Sequence, residues 1–384
     1  MKGLVCYVAA LVLACAATES SWEDKECWQV TYKTAGKSSS GKAEVIKKYG
    51  DGSALLQVPD GQLLSLFPEE IVEKQPVEAA MQALTQDEMI EQLKTQLKPD
   101  FKFLKTKHYV FAYNTSQIYA DWVGQLYERF YRAFFNDWNT RGIKLQEPRF
   151  PLVAIVFRTK ADYLEFAHKD IGKDADAMIG YYYINSNRVI MYDITGVDEN
   201  VPTNGKISSQ FVINTIKSQP DGERNVATIV HEAVHQLAYN TGLQVRLADN
   251  PRWLSEGLAM YFEAPDLNNP QGWKIGNVNY YNLRLFISYL NQRPADSIRT
   301  LIQDDQKFGD PALVSGAYSE SWALTYFLMK GKKKQFTAYM KEIAELEVLA
   351  EADVRKRVEH FEKHFGDLEK LDREFLNYVR SNMR

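Results

Sequence analysis

Val226-Ala227-Thr228-Ile229-Val230-His231-Glu232-Ala233-Val234-His235-Gln236-Leu237-Ala238 is the stretch on which the reading of this chain turns. Its apolar residues recur at helical spacing, Asn225 is placed to cap the start, and Gly242 is placed to end it. On such a helix His231 and His235, four residues apart, project from one face and can share one cation. Glu232 stands one step round, where it reaches a water on that cation without ligating the ion itself. Only six histidines occur among 384 residues, so chance produces this arrangement in about one sequence in a hundred of this length. The flanks are almost wholly apolar, and two imidazoles with a carboxylate in a buried helix are costly unless something satisfies them.

The spacing resembles the HExxH signature of zinc peptidases. Catalytic zinc commonly takes three protein ligands and keeps one position for water, so a third ligand is needed. Downstream, Arg252-Trp253-Leu254-Ser255-Glu256-Gly257-Leu258-Ala259-Met260-Tyr261-Phe262-Glu263 resembles the second motif of the gluzincins, a Trp-Leu-x-Glu-Gly helix start. That resemblance implies Glu256 as the third ligand of a single Zn2+ held with His231 and His235. Pro251 and Gly257 fit a helix entered sharply and packed close to the first. Glu263, two turns further on the same face, is placed to orient a ligating histidine, although an ordinary helix acid is the preferred reading. Glu232 is then the general base, passing a proton from water to a leaving amine. Tyr318, by position, is the candidate second donor to an oxyanion, in competition with simple aromatic packing at a helix start. The Ile179–Tyr192 hairpin either pairs with an extended substrate or is an ordinary part of a sheet.

Working outward, residues 106–384 read as strands followed by helices. Strands are expected at 108–113 and 152–157, helices at 119–138 and from 161. A hairpin turns at Asn185-Ser186-Asn187, and almost continuous helix follows residue 225. Residues 22–75 alternate apolar and polar residues between Asp-Gly turns, which predicts a small all-β, SH3-like domain. Pro76 opens a helical connector running to about 105. The fold class is therefore α+β. His108 and His168 are read as structural. His360 and His364 repeat the four-residue spacing, but Phe361 follows the first and charged residues surround the pair, so they are read as a solvated helix face.

Residues 1–17 combine Lys2, an apolar run and small residues, the pattern of an export signal. Val12-Leu13-Ala14-Cys15 also resembles a lipobox, which would make Cys15 a lipid anchor and the chain's one link to a membrane. Cys27 alone belongs to the body, so no disulfide framework is expected, and it is read as buried, not nucleophilic. A formal net charge of −4 offers no footprint for nucleic acid, and beyond the first residues no apolar run is long enough to span a bilayer.

From about 106 to 380 the chain is similar to an uncharacterised family of exported bacterial proteins with a gluzincin-like core. The resemblance is carried by His108–Asn114, Gly180-Tyr181-Tyr182, the two metal motifs and Tyr318–Leu324. It implies a zincin-like peptidase fold outside the cytoplasm acting on a peptide or protein substrate, and names no substrate. The alternative is a catalytically silent, peptidase-like binding protein of the cell envelope, with the β domain docking an unidentified partner. Glu232 separates the two, because a binding protein has no use for a general base.

Overall fold

The computed structural model describes residues 25–34, 36–196, 209–264, 274–351 and 353–382. The expected export signal and Cys15 lie outside the described residues. Two compact units emerge, one made by the described residues to Pro59 with Leu63–Gln82, the other by Asp60–Gln62 with the chain from Ala83 onward. The architecture is α+β, with an antiparallel sheet first and a mainly helical C-terminal half. No helix among the described residues is long and apolar enough to cross a membrane.

In the first unit β1 (Cys27–Thr34), β2 (Lys37–Lys48), β3 (Ala54–Gln57), β4 (Leu63–Leu66) and β5 (Ile71–Val77) form one antiparallel sheet in the order β4-β3-β2-β1-β5. Trp28, Val30, Ala43, Leu56 and Leu66 make its core, and Cys27 is buried as a free thiol. This antiparallel all-β unit is the small β domain expected from the sequence, and a 3-10 turn at Pro68–Glu70 leads into its last strand. Pro76 does not start a helix. It lies on edge strand β5 opposite Trp28, where sheets tolerate a residue lacking an N–H. The helix expected of the connector, α1 (Gln86–Gln96), begins ten residues later and belongs to the second unit, starting at a capping box in which Thr85 and Glu88 bond each other's backbone amides.

The second unit is built on β6 (Lys102–Lys105), β7 (Tyr109–Tyr113), β8 (Leu152–Phe157), β9 (Gly180–Tyr183) and β10 (Arg188–Tyr192), in the order β6-β7-β8-β10-β9. The three central strands are parallel, and both edges are antiparallel. Tyr109, Phe111, Ala154, Val156, Val189 and Met191 face α2 (Gln117–Thr140) and the helical half. Val110, Ala112, Val153, Ile155 and Ile190 face α1 and α3 (Lys160–Ile171). Strands covered on both faces carry continuous apolar runs, which is why β7 and β8 are so easily read in the sequence.

The helical half follows as α4 (Ser209–Lys217), α5 (Gly222–Asn240), α6 (Arg252–Phe262), α7 (Tyr280–Tyr289), α8 (Ser297–Gln303), α9 (Val314–Gly331), α10 (Lys333–Ile343), α11 (Val354–Phe365) and α12 (Leu368–Asn382). α5 starts a turn before Asn225, which sits inside the helix and donates to Asp221 O at 2.9 Å. The tight turn from α4 sets that start, since a Cβ on Gly222 would collide with the Ile216 backbone. Gly242, at φ +75°, ends α5 as expected.

Gly257 sets the distance between α6 and α9. A Cβ there would meet Thr325 Oγ1 and stand 2.7 Å from the Ser321 carbonyl oxygen. Gly257→Ala is therefore expected to destabilise the fold by about 1–3 kcal/mol through overpacking, read as a shift in denaturant midpoint at unchanged slope. An unshifted midpoint would mean that the two helices are free to separate.

Candidate metal centre

α5 is fixed in rotation by contacts outside the centre itself. Gln236, wholly buried, donates from Nε2 to the carbonyls of Val153 on β8 (3.0 Å) and Asn187 (3.1 Å). Asn240 and Asn187 exchange side-chain amide hydrogen bonds at 2.7 and 2.8 Å. From the other side Tyr127 on α2 donates to Ile229 O at 3.0 Å. With the helix so anchored, His231, Glu232 and His235 turn toward α6 and β9.

α6 brings the fourth group. Its first amide, on Arg252, has no side-chain cap from Pro251 and instead donates to Asp305 Oδ1 at 3.0 Å. Glu256, one turn in, places Oε2 at 3.2 Å from His231 Nε2 and 3.9 Å from His235 Nε2. One ligand atom from each of His231, His235 and Glu256 lies within 4.8 Å of the other two. The two imidazoles and the carboxylate are mostly buried, each side chain about one-seventh exposed.

Glu263 corrects the sequence reading. It is not an exposed helix acid but a buried one, with Oε2 2.6 Å from His231 Nδ1 and Oε1 accepting from Asn279 Nδ2 at 2.8 Å. A carboxylate at Nδ1 makes that nitrogen the N–H and leaves Nε2 to act as a ligand. Asn279, which also caps α7, belongs to this hydrogen-bonded cluster and was not read from the sequence, because nothing local marks it as a partner of Glu263. Glu263→Gln keeps the shape and removes the charge. Zinc affinity is expected to fall about 10–100-fold in a chelator competition titration. Equal affinity would make Glu263 a packing residue only.

The electrostatics suit a cation. Burial opposes a charge on His231, yet the hydrogen bonds and charge of Glu256 and Glu263 hold its imidazolium well above the ordinary histidine range. Burial pushes His235 down to about 4. Glu256 is buried as well, but His231, His235 and Arg252 hold its carboxyl down at about 2. A divalent ion replacing the His231 Nε2 proton would keep two carboxylates paired with positive charge, so the donor set fits zinc.

Glu232 is held differently. Its Oε2 accepts the backbone N–H of Tyr182 on edge strand β9 at 2.7 Å. Burial raises its carboxyl to about 7; the His231 charge and this N–H oppose the rise, and Glu256 and Glu263 add to it. A carboxyl poised near neutrality suits proton transfer in both directions. Tyr318, on α9, accepts a hydrogen bond from Arg252 Nη2 at 3.1 Å, and Arg252 Nε lies 3.9 Å from Glu256. Burial and the Glu256 charge raise the phenol's pKa, so it keeps its proton as a donor. His108 and His168 lie beside Glu128 at 2.7 Å and Asp176 at 2.8 Å.

Residues 225–350 match a family described as a protein of unknown function, DUF1570. The match contains His231–His235, Glu256 and Tyr318 and is consistent with an uncharacterised family. No curated protein matches the chain.

Proposed function

We propose that this chain is a zinc-dependent peptidase of gluzincin type on a zincin-like core, acting outside the cytoplasm. The observation that carries the reading is the meeting of His231, His235 and Glu256 around one point, with Glu263 behind the first ligand and Glu232 beside it. His231, His235 and Glu256 would hold the ion. Zinc, when bound, supplies Lewis acidity to the water and the carbonyl it meets. Glu232 takes the proton from the attacking water and returns it to the departing amine. Tyr318, protonated and steadied by Arg252, donates a hydrogen bond to the developing oxyanion.

Substrate orientation is supported by the sheet. β9 is an edge strand, and the Tyr182 N–H points from its free side to Glu232. An extended peptide pairing with that edge would bring its carbonyls alongside the general base. The extracytoplasmic setting rests on the export-signal pattern of residues 1–17.

The test is turnover of a broad peptide library by the zinc-loaded chain, repeated after chelation and after zinc is restored. Cleavage that disappears and returns with zinc is expected. Tight zinc binding without any cleavage would favour the silent binding protein instead.

A further inference from the structure

The sequence presents His360 and His364 as a solvated face, and the structure corrects this. Both imidazoles turn toward α10, where Glu342 receives them: His360 Nε2 lies 2.7 Å from Oε2 and His364 Nε2 lies 3.0 Å from Oε1. The His364 side chain is nine-tenths buried. Its Nε2 is shielded from solvent, and the approach to Glu342 lacks hydrogen-bond geometry. The buried ring of Tyr339 sits against both imidazoles, at centroid distances of 5.1 and 5.7 Å, and limits their movement.

We propose that Glu342, His360 and His364 form a second site for a divalent transition-metal ion, separate from the centre at His231 and joining α10 to α11. One donor atom from each residue lies within 4.8 Å of the others. Two imidazoles on one helical face with a carboxylate from a neighbouring helix form a borderline donor set. Such a set suits Zn2+, Co2+, Ni2+ or Cu2+ and discriminates against Mg2+ and Ca2+. Lys363 Nζ, 2.6 Å from Glu342 Oε1, already places a cation on this carboxylate. Its side chain is 63% exposed, so it is free to yield that oxygen to an ion.

The site differs in kind from the first. Where Glu232 follows His231, Phe361 follows His360 and is buried in the core. The position that carries Glu232 in the first centre therefore carries no carboxylate here, and the role we infer is structural. α11 also braces the third-ligand helix. Arg357 bonds Asp305, which receives the first amide of α6. Phe361 and Tyr339 pack on Trp253, three residues before Glu256, at centroid distances of 5.7 and 6.3 Å. An ion clamping α10 to α11 would stiffen the support on which Glu256 stands.

The test uses the full chain carrying His231→Gln and His235→Gln, so that the outcome does not depend on the proposed peptidase centre. Titration with Co2+, followed by its visible absorption and reversed by Zn2+, is expected to show about one ion bound per chain. Adding His360→Asn and His364→Asn should abolish that binding. No Co2+ bound to the first variant, or binding that survives the added substitutions, would overturn the proposal. Should the fourfold variant not fold, Glu342→Gln in the otherwise native chain gives the second reading. The Zn2+-induced rise in melting temperature should shrink, and an undiminished rise would count against the site.

Discussion

Glu232→Gln is expected to bind zinc as the native chain does and to lose peptide turnover by about 10²–10⁴-fold in kcat, the share that a placed general base contributes. The substitution preserves shape, and the glutamine carbonyl can still accept the Tyr182 N–H now received by Glu232 Oε2 at 2.7 Å. What disappears is the ability to take a proton. Stability gives an independent check with a definite sign. Burial raises the Glu232 carboxyl from 4.5 to about 7, so in the metal-free chain its ionisation costs stability that begins to be lost above pH 4.5 and is fully lost above about 7. The variant is relieved of that cost. Metal-free Glu232→Gln should match the native chain at pH 4 and exceed it at pH 8 in urea unfolding. Equal zinc content with equal turnover would remove Glu232 from the chemistry.

The parts of this molecule that are legible in sequence are those whose partners lie one helical turn apart or on one strand. His231, Glu232 and His235 share a helix, so spacing alone fixes their geometry. β7, β8 and the β9–β10 hairpin are legible because strands covered on both faces must be apolar throughout. Glu263 and His364 show the opposite case. Each lies on a helix face whose neighbour is supplied from far along the chain, Asn279 for one and Glu342 for the other. Local composition around His360 and His364 is charged and reads as wet, whereas α10 covers one side of it. Pro76 failed as a helix start for a related reason, since its strand exists only because β1 lies alongside. The stronger local signal was the capping pair Thr85 and Glu88, a real helix start further on.

Glu256→Ala is the second large effect, and it separates a ligand from an ordinary ion-pair partner. If Glu256 is one of three ligands, removing it should weaken zinc binding by more than the roughly 10–100-fold expected for an outer partner such as Glu263. Turnover should fall in proportion to the zinc lost and recover in part when excess zinc is added. The metal-free chain offers a second reading, because Glu256 is held down from 4.5 to about 2 despite its burial, by His231, His235 and Arg252. A depressed carboxylate contributes stability that is present above pH 4.5 and is lost as pH falls toward 2. The variant should therefore be less stable than the native chain at pH 6, with the gap closing as acid is added. A constant gap would place the cost in the cavity left by the side chain. Zinc affinity equal to that of the native chain would show that His231 and His235 find their third partner elsewhere, and the proposed ligand set would have to be redrawn around that residue.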